Sequence, residues 1–345
     1  MRARRARARA GLALSTSLCR VAMLALAAAG CAEAGPARAA PASPHLADGP
    51  APRSGPPPGG PARAAPREAS LRFELDERPF PSPLLDAVIA GQPATLVVDT
   101  GATHHVLARW LADELGLPLS TAGDVGVDHA GRPVPLSRID HARVALSGWG
   151  RIDTPVLLVV PVPDVLRRLG IGGFLAPQLL PSPGRAVVLD LRDGRMTEAP
   201  RDEAARALRA RFGEAAVIEL GDCSGPSQGR ELTARASVEG IEVTLKIDSG
   251  ASHSSLFAAS PAGKALSPRA RGGRSAYAAS GKHTVPVLPG ARLRLAGRDA
   301  AVDIDLLPGA PRAACPSDGY AGMDVLRACV LVLAGAGGLA ACGPP

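Results

Sequence analysis

Aromatic side chains are scarce: two Trp, two Tyr and five Phe among 345 residues, 3% of the chain. The core must therefore be built from Leu, Val, Ala and Ile. No phosphate-binding loop, dinucleotide fingerprint or zincin motif occurs, and no residues have zinc-ligand spacing, so neither a metal nor a cofactor is expected. The cationic excess is local. The formal net charge is +7, but residues 1–30 hold six arginines and no acid, and without those six the charge is +1. A near-neutral remainder gives no electrostatic argument for a nucleic-acid partner. Long hydrophobic runs are lacking too. Val21–Ala29 is far shorter than the roughly 20 residues a membrane-spanning helix needs. The apolar stretch Ala328–Cys342 is broken by Gly335, Gly337 and Gly338 and reads as a buried hairpin.

Residues 1–30 have the plan of an export signal, a basic segment followed by the short apolar run. Ala28-Ala29-Gly30-Cys31 is similar to a bacterial lipobox, with Ala28 where Leu is usual. Cys31 is thus the expected lipidation site, with an ordinary cleaved signal as the alternative. A lipid anchor in the bacterial envelope, at the outer membrane or the periplasmic face, is expected ahead of secretion. Residues 31–68 are mostly Ala, Pro, Gly and Arg. Such a segment cannot bury enough surface to offset its ordering entropy and reads as a disordered tether. Four cysteines remain, Cys223, Cys315, Cys329 and Cys342, consistent with disulfides in an oxidising compartment. Of three connectivities, Cys329–Cys342 across a hairpin with Cys223–Cys315 is the one expected; four free thiols are the alternative.

The most telling feature is a repeat. Asp99-Thr100-Gly101-Ala102-Thr103 recurs as Asp248-Ser249-Gly250-Ala251-Ser252, each after an apolar strand-like run, at a constant offset of 149 that also aligns Gly91 with Gly240, His104 with His253 and Leu107 with Leu256. One Asp-Thr-Gly is a common turn, its carboxylate capping backbone N–H groups. Two in matched context imply two similar halves, each presenting one carboxylate to a shared cleft. Short strands separated by turn signals fill residues 69–200 and 214–345, with a helical connector at 201–213, as in an all-β protein. A short helix is expected over Val106–Leu115, from the spacing of Leu107, Trp110, Leu111 and Leu115. Hairpins are expected at 125–139 and 275–288. Gly225-Pro226-Ser227-Gln228-Gly229 matches the serine-hydrolase Gly-x-Ser-x-Gly pattern, but a strand-like segment follows where the nucleophile elbow needs a helix.

These residues resemble the retropepsin-like aspartic protease superfamily over most of 70–345. A second mark of that family, two apolar residues then Gly before a short helix, is present as Tyr320-Ala321-Gly322; in the first half it reads Phe174-Leu175-Ala176, with Ala in place of Gly. The resemblance implies two β-barrel lobes with short helices, related by a pseudo-two-fold within one chain and acting as a monomer. It implies Asp99 and Asp248 as a catalytic dyad hydrolysing an extended polypeptide. Thr100, Gly101, Ala102, Ser249, Gly250 and Ala251 would support the loops. The two hairpins would be flaps, with His129, Gly131, Tyr277 and Gly281 near substrate. The alternative from another class is a non-catalytic lipoprotein that holds peptide in the same cleft.

Overall fold

The computed structural model describes residues 67–128, 132–154, 156–223, 230–278, 281–310, 315–335 and 337–343. The expected signal (1–30), Cys31, nearly all of the tether, His129, Gly131 and Ser227 lie outside the described residues. The first strand begins at Glu68, one residue inside the segment expected to be tether.

The described residues form an all-β molecule with few short helices. The two halves follow one path. In the first, strands lie in the order Gln92–Val98, Ile171–Leu175, Val106–Ala108, Val156–Val160, Pro133–Asp140, Ser120–Val127. In the second, the order is Ile241–Ile247, Gly319–Ala321, Ser255–Phe257, Arg298–Leu307, Gly281–Leu295, Arg271–Ala278. Corresponding pairs are parallel in both: Val98 lies opposite Leu175 and Ile247 opposite Ala321. The strand before each Asp is entered through a tight turn with two left-handed residues, Ala90-Gly91 and Glu239-Gly240, the backbone that two-residue hairpins favour.

A third layer joins the halves. Six strands run in the order Glu68–Ser70, Arg195–Pro200, Arg185–Asp190, Cys329–Ala334, Gly338–Cys342, Ile218–Asp222, and the middle pairing is antiparallel with Val188 opposite Val332. The order is the same read from either end once one half is exchanged for the other. One face of this sheet, with Leu189, Leu331, Leu333 and Met196, belongs to a core that continues into both halves. Helix Arg201–Phe212 covers the other face, setting Ala204 and Leu208 against Ala186, Val330, Val332 and Ala341. The connector therefore packs on the seam between the halves. Cys329 is joined to Cys342 across the terminal hairpin, and Cys223 to Cys315.

Three expectations about elements need correction. Val106–Ala108 is a strand, and the helix is confined to Arg109–Glu114. Leu107 and its neighbours pair on one side with Leu158–Val160 and on the other with Gly173 and Phe174, so non-local pairing overrides the helical spacing. Strand structure in the second half, expected from residue 214, starts at Ile218, after a 3-10 turn over Glu214–Ala216. Both hairpins are longer than expected, spanning Ser120–Asp140 and Arg271–Leu295.

Leu331 is fully buried on the middle strand of the joining sheet. Leu331→Ala should lower unfolding free energy by about 2–5 kcal/mol. Denaturant titration would read this as a lower midpoint at unchanged slope.

Candidate active site

Both repeated loops leave their strands in the same way. The Asp99 N–H donates to Leu175 O (2.8 Å), and the Asp248 N–H to Ala321 O (3.0 Å). Asp99 Oδ1 accepts from the N–H groups of Gly101 (2.8 Å) and Ala102 (3.1 Å). Asp248 Oδ1 accepts from those of Gly250 (3.0 Å) and Ala251 (2.9 Å). Each carboxyl thus caps its own turn through Oδ1, which leaves Oδ2 outside the cap. Capping occupies one oxygen of each aspartate, so the capping reading does not exclude a second role.

The loops are locked across the pseudo-two-fold. Thr100 Oγ1 donates to Ile247 O (2.8 Å) and accepts from the Ser249 N–H (3.0 Å). Ser249 Oγ donates to Val98 O (2.7 Å) and accepts from the Thr100 N–H (3.0 Å). All four groups are buried, so losing one partner strands another in a dry site. The glycines are required by contact, since neither has a positive φ. A Cβ on Gly101 would stand 2.5 Å from Asp248 Cγ, and one on Gly250 would stand 2.6 Å from Asp99 Cγ. Each glycine is the floor on which the opposite carboxyl rests.

Asp99 is 0% exposed and Asp248 1%. Burial, then the charge of Asp248, then the hydrogen bond with Asp248 raise the Asp99 pKa well above the ordinary carboxylate range. Burial also raises Asp248, to about 6, against the lowering effect of its hydrogen bond with Asp99, the loop N–H groups and Lys246. Two carboxyls in this position retain a proton that isolated ones would lose.

Residues 85–173 match the family model described as aspartyl protease. The match includes Asp99, its loop and the first hairpin. It supports a protease-like function. The second half lies outside it, and its likeness rests on the internal repeat. No curated protein matches the chain.

Under each loop the aspartyl-protease-like frame is supported differently. In the second half Ser254 Oγ accepts from the Gly322 N–H (3.0 Å) and donates to Asp324 Oδ1 (2.6 Å). At the equivalent place in the first half His105 Nδ1 accepts from the Ala176 N–H (3.2 Å). Burial, with the neighbouring His104, pushes His105 down to about 4, so the ring stays neutral and able to accept. Gln178, in the place of Asp324, donates to the carbonyls of Ala102 (2.6 Å) and Thr100 (3.3 Å). A Cβ on Gly322 would run into the His253 backbone. Ala176 has ψ 97° where Gly322 has −174°, and a 3-10 turn replaces the helix Met323–Leu326. The first-half loop bonds are all made with Ala at this position.

A cleft of about 310 Å³ opens beside Asp248. Its second-half wall includes His253, Arg274, Tyr277 and Asp305; across it stand Phe80–Ser82 and Val165, Leu166 and Leu169 of the first half. Tyr277 is thus brought to the cleft, whereas Gly281 starts the return strand of the hairpin at φ +116° and is not part of the lining. His104 bonds to its neighbour, Nδ1 to Thr103 Oγ1 at 3.0 Å. Among the described residues no cluster of His, Cys, Asp or Glu could hold a metal. His105, Gln178, Ser254, Asp324 and the Arg274–Asp305 pair were not singled out from sequence. Comparing the halves position by position at the offset of 149 would have exposed His105 against Ser254.

The raised carboxyls make stability depend on pH with a definite sign. A carboxyl that binds its proton more tightly when folded stabilises the protein below its unfolded value of 3.8, and this contribution is lost as pH rises through about 6. Asp248→Asn, uncharged throughout, should flatten the decline in stability between about pH 4 and pH 7 and be the more stable protein at neutral pH. Unfolding curves of both proteins across that range test this; equal slopes would refute it.

Proposed function

We propose that this chain is an aspartic endopeptidase with Asp99 and Asp248 as its dyad. One observation carries the reading: two buried carboxyls on reciprocally locked loops, each seated on the other loop's glycine, beside a cleft. That arrangement favours a pair holding one proton between them, a combination the general account of aspartic proteases rests on. The ionised member takes a proton from water, whose oxygen attacks the scissile carbonyl carbon, while the protonated member gives its proton to the carbonyl oxygen. As the C–N bond breaks, the base returns its proton to the leaving amine, and the other carboxylate takes back a proton from a hydroxyl of the tetrahedral intermediate, which restores the carbonyl of the new acid and the starting protonation of the pair. Substrate lies extended in the cleft, its backbone pairing beneath the hairpins in the manner of an added strand. Both loops come from one chain, which favours action as a monomer.

The same reading places the enzyme at the bacterial envelope, held by lipid on Cys31 through the tether; the two disulfides fit an oxidising compartment. Labelled fatty acid incorporated by the wild type and lost in Cys31→Ala would support the anchor.

The deciding experiment is cleavage of a diverse peptide library by the purified protein from acid to neutral pH. Asp99→Asn and Asp248→Asn should each lower kcat/KM by at least about 10²–10⁴-fold. The wild-type profile should be bell-shaped, its alkaline limb marking loss of the shared proton. A folded protein that cuts nothing at any pH, yet binds peptide equally well with either Asn, would instead be a peptide-holding module.

A further inference from the structure

Position by position, the halves differ sharply just beneath the dyad. Val97, two residues before Asp99, has Lys246 as its counterpart, and Ser82 has Glu231. Both members of the pair are thus changed together. Lys246 is 3% exposed and Glu231 6%, with Nζ 2.8 Å from Oε2. Lys246 sits opposite Thr233 on one side and Tyr320 on the other, and its Nζ lies 5.9 Å from the centre of the Tyr320 ring. In an extended strand, residues two apart leave on the same face, so Lys246 and Asp248 share one.

A buried ion pair gives little net stability, because desolvating two charges offsets their attraction. The first half fills the same place with Val97, part of an apolar cluster with Leu84, Val106, Leu158 and Phe174. Stability therefore does not account for the charges, and their position under one of two otherwise equivalent carboxyls suggests what does.

We infer that the Lys246–Glu231 pair breaks the symmetry of the dyad, so that Asp248 is the carboxylate that takes the proton from water and Asp99 the one that carries a proton. Lys246 is then a positioning residue. The inference rests on the proposed function for its chemical meaning, while the proton placement itself can be read without any substrate.

The surrounding groups agree. Asp248 is faced by Asp99 from the other loop and by Lys246 on its own strand; Glu231, from the segment entering Leu232–Val238, meets Lys246, and Tyr320, from Gly319–Ala321, lines the cleft with Asp248. His253 and the Arg274–Asp305 pair (3.5 Å) lie further along the cleft, and Asp324 lies below the loop under Ser254. Of the buried pair, Lys246 is the member whose charge registers at Asp248, favouring its ionised form. Around Asp99 the groups that favour ionisation are the N–H groups of Gly101 and Ala102, which Asp248 matches with Gly250 and Ala251. The loop bonds are matched between the halves, and among the groups other than the two carboxyls themselves Lys246 is the one without a counterpart at Asp99.

The test is a pH titration of the dyad carboxyls by carbon-13 NMR of Asp-labelled protein, assigned with Asp99→Asn and Asp248→Asn, alongside the pH profile of kcat/KM. Lys246→Val combined with Glu231→Ser gives the second half the residues the first already packs there, which keeps the fold testable. This double variant should raise the Asp248 titration by about one pH unit. Glu231→Gln should lower it, because the lysine charge is left uncompensated. The acid limb of kcat/KM should move with it, up in the first case and down in the second. A merely structural role would not shift the two variants in opposite directions. No rise in the double variant, or movement the same way in both, would overturn the inference. If Glu231→Gln fails to fold, the double variant decides. A protein that cuts no peptide but shows these shifts would sink the proposed function and keep the proton placement; cleavage without the shifts would do the reverse.

Discussion

Two carboxyl groups in contact, both out of water, set the terms for the rest of this molecule. Two full charges about 4 Å apart repel by roughly 4 kcal/mol even at an effective dielectric of about 20. That is a large part of the roughly 5–15 kcal/mol by which a domain is stable. A shared proton removes the repulsion, but only if the two oxygens are held where one proton can serve both. The crossed bonds of Thr100 and Ser249 do the holding at the loops. The sheet centred on Val188 and Val332 does it at the scale of the halves. A rotation of one half against the other would have to break antiparallel ladder bonds and open a core common to both.

The halves repeat one another in path and loop geometry far more closely than in chemistry. Val106, Leu158 and Phe174 make an apolar wall in the first half. Their counterparts Ser255, Asp305 and Tyr320 line the cleft in the second. Supports under the loops diverge as well, His105 and Gln178 against Ser254 and Asp324. Wherever the pseudo-two-fold must close, at Asp, Thr or Ser, and Gly, the residues are matched. Away from it each half needs only to satisfy its own hydrogen bonds, and it does so with the donors and acceptors to hand.

Much of this was legible in the sequence, and what was not has a physical cause. The repeat, the all-β character, the break of Ala328–Cys342 into a hairpin and the place of the two long hairpins follow from local patterns of turns and alternation. Val106–Ala108 was misread because a three-residue strand between two partners carries no periodicity of its own. The joining sheet left no local trace: the strand Arg185–Asp190 gives no sign that its partner begins at Cys329. Lys246 in an apolar strand reads as a solvent-facing residue until its neighbours are known. The sequence marks Gly101 as a residue supporting its loop, and only the assembled halves show that the group its missing Cβ makes room for is Asp248.

One chain carrying both halves has a freedom that two identical chains lack. In an exact two-fold dimer, a lysine two residues before the Asp would appear beneath both carboxyls or neither, and the two would see the same field. Any difference between base and acid would then have to wait for substrate to create it. Here Val97 and Lys246 stand at equivalent places in one continuous chain, so the difference is built in before substrate arrives. The buried ion pair spends some of the core's apolar packing on that difference. The joining sheet and the crossed loop bonds tolerate this because neither includes the Lys246 or Glu231 side chain: those bonds run between Val98, Thr100, Ile247 and Ser249. Symmetry is kept by the groups that hold the carboxyls together and relaxed by those that tell them apart.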